Sequence, residues 1–237
     1  MSSFAIEKIK IPVTLHMSDR SIINGNIFLS KISPLHQGRE LSKDMLNSVE
    51  SFFPIELEDN SIIFINKYNV AKVTSLEEKE IIDEEEKKEK VRMQVTLSII
   101  DSSLIGGNIF LSQYSPIHHG REMAKDMFNS GEDFFPIEIK EDNSIIMVNK
   151  SNVTKVILAE RDLLEDELTM GKQQSAKITL SNGEIITGMF VVEMPEEKSR
   201  LSDFLNTTYK YFYIKKEDDK DNDLIINSNS VNTITPA

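Results

Sequence analysis

Two short strings bring titrating and anion-binding side chains together: Ser33-Pro34-Leu35-His36-Gln37-Gly38-Arg39-Glu40 and Ser115-Pro116-Ile117-His118-His119-Gly120-Arg121-Glu122. An imidazole titrating near neutrality, a guanidinium that forks onto phosphate or carboxylate, and a carboxylate within five residues can hold an anion or a partner's charged group, or move a proton. The candidate ligand or partner contacts are therefore His36, Arg39 and Glu40 in the first string and His118, Arg121 and Glu122 in the second. The same pattern also suits a plain loop entering a helix, with the glutamate near the positive end of the helix dipole. Adjacent imidazoles at His118-His119 point apart as a rule, and Gln37 stands at the matching position of the first string, so they are not read as a metal site. The acidic run Glu217-Asp218-Asp219-Lys220-Asp221-Asn222-Asp223 has a calcium-loop composition but lacks the glycine and closing glutamate of an EF-hand, and is read as a solvated hairpin loop. With no nucleophile–base set or cofactor fingerprint elsewhere, the chain is expected to be non-enzymatic and to need no cofactor.

The two strings sit at matching places in a longer repeat. Val13-Thr14-Leu15 returns as Val95-Thr96-Leu97, Gly25-Asn26-Ile27-Phe28-Leu29-Ser30 as Gly107-Asn108-Ile109-Phe110-Leu111-Ser112, and Phe52-Phe53-Pro54-Ile55-Glu56 as Phe134-Phe135-Pro136-Ile137-Glu138. About two-thirds of positions agree between these two copies. A third copy keeps Ile178-Thr179-Leu180, Gly188, Leu201-Ser202-Asp203, Phe204-Leu205-Asn206 and Leu224-Ile225-Ile226-Asn227, and Arg200 alone of the charged string. The division this implies is 1–73, a charged connector 74–91, 92–156, a helical connector 157–175, and 176–237. A unit of some 60 residues buries only about 60% of its unfolded surface, so such units are expected to pack on one another or on neighbouring chains.

Within one copy, Ile9, Ile11, Val13 and Leu15 alternate with polar residues as in a half-buried strand. A turn at Ser18-Asp19-Arg20, or at Asn182-Gly183 in the third copy, leads to a second strand whose repeated glycine (Gly25, Gly107, Gly188) suggests a bend or bulge. Leu41, Met45 and Leu46 share one face of a short inserted helix. Phe52 to Leu57, Ile62 to Ile65 and Val70 to Val73 supply three more strands, the last two separated by the corner Asn66-Lys67-Tyr68-Asn69. Neighbouring phenylalanines on a strand face opposite ways, so at most one of each Phe-Phe pair belongs to a core, and the other covers the helix or an interface.

The chain has 237 residues, net charge -12 and no cysteine. The absence of thiols rules out disulfides and thiolate sites and fits a reducing compartment. Much of the acidity falls in the connectors, where it serves solvation; it disfavours nucleic acid without excluding it. The first residues lack a basic start followed by an apolar run, and no apolar stretch of membrane-spanning length occurs, so a cytoplasmic chain without membrane contact is expected.

The string Ile178-Thr179-Leu180-Ser181-Asn182-Gly183-Glu184-Ile185-Ile186-Thr187-Gly188-Met189 resembles the first signature of the Sm and Hfq-like small barrels, and Ile62 to Val73 is similar to their second. SH3-like barrels share the strand order. Arg200 to Asn206 also looks like segments of uncharacterised bacterial small-barrel domains. The resemblance implies a mainly β fold with short helices: three tandem five-stranded small barrels, each with a helix between strands two and three. It further implies rings built by pairing exposed strands, and RNA bound at the corner, at Asn66, Lys67, Asn149 and Lys150. The third copy has Asn227 there but Ser228 in place of lysine. Two functions follow as expectations: a structural or protein-interaction component associating with itself or partner proteins through sheet edges, and alternatively a single-stranded RNA binder.

Overall fold

Alternating apolar residues and punctuating turns produce the same element order three times in the computed structural model. It describes residues 8–33, 38–74, 76–77, 79, 81–82, 84–115, 117, 119–160, 172–192, 200–207, 209–216 and 222–236. The first segment comprises β1 (Lys8–Met17), β2 (Ile22–Ser30), α1 (Ser42–Leu46), β3 (Phe52–Glu56), β4 (Ile62–Asn66), a 3-10 turn (Lys67–Asn69) and β5 (Val70–Thr74). After α2 (Glu84–Glu89), the second has β6 (Lys90–Ile99), β7 (Leu104–Ser112), α3 (Ala124–Asn129), β8 (Phe134–Ile139), β9 (Ile145–Asn149), a 3-10 turn (Lys150–Asn152) and β10 (Val153–Leu158). The third has β11 (Lys172–Leu180), β12 (Ile185–Val192), α4 (Leu201–Leu205), β13 (Tyr211–Lys215), β14 (Leu224–Asn227), a 3-10 turn (Ser228–Ser230) and β15 (Val231–Pro236). The fold is mainly β with short helices. No helix among the described residues is long and apolar enough to cross a membrane.

Three separately closed barrels are not what forms. The strands follow one open order of 15, β15-β11-β12-β13-β14-β10-β6-β7-β8-β9-β5-β1-β2-β3-β4. The reason lies at the corner between fourth and fifth strands. β5 pairs with β1 on one side and, on the other, with β9 of the following segment. Its second row of N–H and C=O groups is thus satisfied by the next repeat instead of by β4 of its own.

By packing, the chain divides into two compact units: Met1–Lys90 with Ile99–Ser103 and Glu132–Val153, and Val91–Ser98 with Leu104–Gly131 and Thr154–Ala237. In the first, Leu15, Leu29, Leu46, Phe53, Ile55 and Val73 are buried, joined by Ile81 and Ile82 from the connector. That charged connector therefore contributes to a core, with α2 its only helix among the described residues. In the second, Phe190 lies 6.0 Å from Phe204 and 6.1 Å from Phe212, edge-on to both, within an apolar cluster that includes Ile178, Leu180 and Ile214.

The turns follow one recipe. Asp19 accepts from the Ser21 amide at 2.9 Å while Arg20 adopts φ 74°, and Asp59-Asn60-Ser61, Asp101-Ser102-Ser103 and Asp142-Asn143-Ser144 do the same. At Asn182-Gly183 only the glycine takes positive φ, with Leu180 donating to Glu184 O, a three-residue hairpin loop and not the two-residue turn that Asn-Gly suggests. The repeated glycine answers a close approach between strands. A Cβ on Gly25 would lie 2.5 Å from Glu56 O, and one on Gly188 2.5 Å from Ile214 Cγ2, so β3 and β13 lie against bare backbone.

Candidate interaction surfaces at the strand junctions

Each charged string is joined across its described ends. Ser33 donates its amide to Gly38 O at 2.7 Å and Ser115 to Gly120 O at 2.8 Å, with both glycines at positive φ. Glu40 then staples the loop to the end of β2: its amide donates to Ser30 O and its carboxylate accepts the Ser30 amide at 2.7 Å. Glu122 repeats this on Ser112, at 2.9 and 2.8 Å. These carboxylates are engaged by backbone, and the α1 dipole is served instead by Asp44, which accepts from the Leu41 amide at 2.9 Å. Arg39 and Arg121 are half-buried beside them; His36 and His118 lie outside the described residues, as does most of the acidic run. Its last member, Asp223, is buried and accepts from the Tyr213 hydroxyl and, at 2.9 Å, from the Lys216 amide. Among the described residues no three His, Asp or Glu converge as a metal-binding group.

The corner residues are also tied to their own chain. Asn66, Asn149 and Asn227 each cap a 3-10 turn, accepting the amide two residues on at 2.9–3.0 Å. Lys67 is 6% exposed and Lys150 5%. The Lys67 ammonium donates to Met45 O (2.6 Å), Ser48 O (3.1 Å) and Ser48 Oγ (2.6 Å), fastening the end of α1 to the corner. Burial lowers its pKa from the usual lysine range, against the pull of Glu50, Asp133 and Glu40. Asn66, Lys67, Asn149 and Asn227 are thus all engaged in hydrogen bonds within the chain. Lys67→Met is expected to cost about 2 kcal/mol by urea unfolding, because three hydrogen bonds tying Met45 and Ser48 to the corner are lost.

The better-defined chemistry lies where consecutive segments join, which happens once inside each unit. In the first unit, Lys72 opposes Val148 and Val73 opposes Met147; in the second, Lys155 opposes Ile226 and Val156 opposes Ile225. Aligned by their β3–β4-type pairings, Met147 and Ile225 are equivalent to Phe64, and Val148 and Ile226 to Ile65, so the two junctions share one register.

No family model and no curated protein matches this chain.

An asparagine clamp accompanies each junction. At the end of α1, Asn47 donates from Nδ2 to Phe134 O at 3.1 Å and accepts the Phe134 amide at 2.8 Å. At the end of α3, Asn129 does the same to Tyr211, both at 3.0 Å, and also accepts the Lys210 amide. In the first unit Asn149 Nδ2 reaches Lys67 O, and Asn152 Nδ2 reaches Tyr68 O and Val70 O. The only sequence signal for the clamp is an asparagine closing each inserted helix, at 47, 129 and 206, a position where capping alone would account for it.

Both ends of the strand order expose what the junctions bury. On β4, Phe64 is 70% exposed, whereas its equivalents Met147 and Ile225 are at 0%. Phe52 is 56% exposed, against 0% for Phe134 and 3% for Tyr211. Ile62, Tyr68 and Val49 are exposed as well, and Val49 and Phe52 line a cavity of about 530 Å³ together with Asn47 and Lys67. On β15, Val231 and Ile234 are half-buried, whereas Val70, Val73, Val153 and Val156 are buried.

Proposed function

We propose that this chain is a non-enzymatic structural or interaction component that associates with protein through its two open sheet edges, β4 and β15. The observation that carries the reading is the contrast at one position: the edge side chain is fully covered where a junction forms and 70% exposed at Phe64. A row of backbone groups without a strand partner among the described residues, flanked by exposed Ile62, Phe64 and Tyr68, is a strand-addition surface, the kind that proteins otherwise blunt with charge, proline or a covering loop. The internal engagement of Glu40, Glu122 and Lys67 further favours association over ligand chemistry or RNA binding. The strand order within each segment, with a fifth strand shared between neighbours, supports the likeness to Sm-type assemblies.

The test is Phe64→Lys on the intact chain. Light scattering of the purified protein and co-purification from its native host are expected to show an association in the wild type that the variant loses. Wild type and variant behaving alike in both measurements would overturn the proposal.

A further inference from the structure

We infer that the partner of the open β4 edge is β15 of a second copy of this chain, joined head-to-tail in the register of the two internal junctions. The inference rests on the edge-association reading above and adds the partner's identity. Each half of the missing junction is present at one end of the strand order. β4 supplies Ile63, Phe64 and Ile65, equivalents of the strand residues that β5 and β10 cover. β15 follows its 3-10 turn as β5 and β10 follow theirs and, among the described residues, pairs with β11 on one side only, leaving its outer edge open. Transferring the register puts Thr233 opposite Ile65, Ile234 opposite Phe64 and Thr235 opposite Ile63 of the second copy.

The clamp is carried over as well. Asn129 donates from Nδ2 to Lys125 O four residues back at 2.8 Å while holding Tyr211. Asn206, at the end of α4, makes the same backward bond, to Ser202 O at 2.7 Å, and its side chain is exposed. Its counterpart target is the backbone of Phe52, the exposed residue beside the cavity at the β4 end. Three features of the third segment thus coincide: the helix-closing asparagine, the 3-10 corner and the open fifth strand. Together they complement the apolar patch on the first. The pairing ends at Pro236, which has no N–H to repeat the bond from the Leu158 amide to Asp223 O.

The contact joins two different surfaces, so copies add head-to-tail until they close on themselves or run on as a filament, and no dyad relates the two chains across it. This permits a cysteine test on a chain that has none. Single variants Phe64→Cys and Ile234→Cys are prepared separately, each in the otherwise intact protein. Directly opposed strand residues have Cα atoms within disulfide reach. Mild oxidation of the 1:1 mixture is expected to give a disulfide-linked pair in at least tenfold greater yield than either variant alone. Asn206→Ala added to the Ile234→Cys variant is expected to weaken association about tenfold or more, for two lost hydrogen bonds. Efficient linkage of Phe64→Cys with itself would mean edge-to-edge pairing about a dyad and would overturn the inference. So would no linkage from a protein that stays a single chain. If that monomer still bound a host protein through Phe64, the head-to-tail inference would fail while the edge-association proposal stood; if Phe64→Lys also changed nothing, both would fail.

Discussion

Met147→Lys is expected to unfold the first unit, costing about 4 kcal/mol, whereas Phe64→Lys at the equivalent strand position is expected to leave the unfolding midpoint unchanged. Met147 is fully buried opposite Val73, so an ammonium there loses its hydration with no acid opposite it in the strand register. Phe64 stands in solvent, where lysine is a common gatekeeper of an open edge. The comparison is made by urea titration at low protein concentration, where association does not contribute to stability. Similar losses in both variants would mean that Phe64 is already covered within the chain, and the open edge would not exist.

The second large effect is expected from Asn129→Ala. Its side chain bonds the Lys210 and Tyr211 amides and the Tyr211 carbonyl, and truncation removes all three bonds, the two to Tyr211 part-buried. A loss of about 2–4 kcal/mol follows from losing such bonds, against roughly 0.5 kcal/mol or less for Asn206→Ala at low concentration. Both substitutions remove the same backward bond to the helix, so the difference isolates the clamp to β13. Equal effects would assign the asparagines to helix capping alone.

The strands were legible because alternation reports directly which face is covered, and the repeat multiplied that signal. Strand alternation accounts for the first Phe-Phe pair, with Phe53 in the core and Phe52 exposed, but not for the second, where Phe134 and Phe135 are both buried because a junction covers the outer face as well. Closure was not legible. A five-stranded pattern is the same whether its last strand returns to its own fourth strand or passes to the next repeat's, since both choices bury the same residues of β5. In the charged strings, Glu40 and Glu122 bond backbone at the ends of β2 and β7, a role set by backbone groups that leave no mark in side-chain type. The corner lysine hid in the same way, since its ammonium is spent on the Met45 and Ser48 carbonyls.

Mass in solution decides the central claim, that the two open ends of the strand order are halves of one junction. Light scattering of the wild-type chain over a range of concentrations is expected to give a multiple of 27.0 kDa, falling to a single chain for Phe64→Lys. A wild-type mass of one chain at every concentration would contradict it.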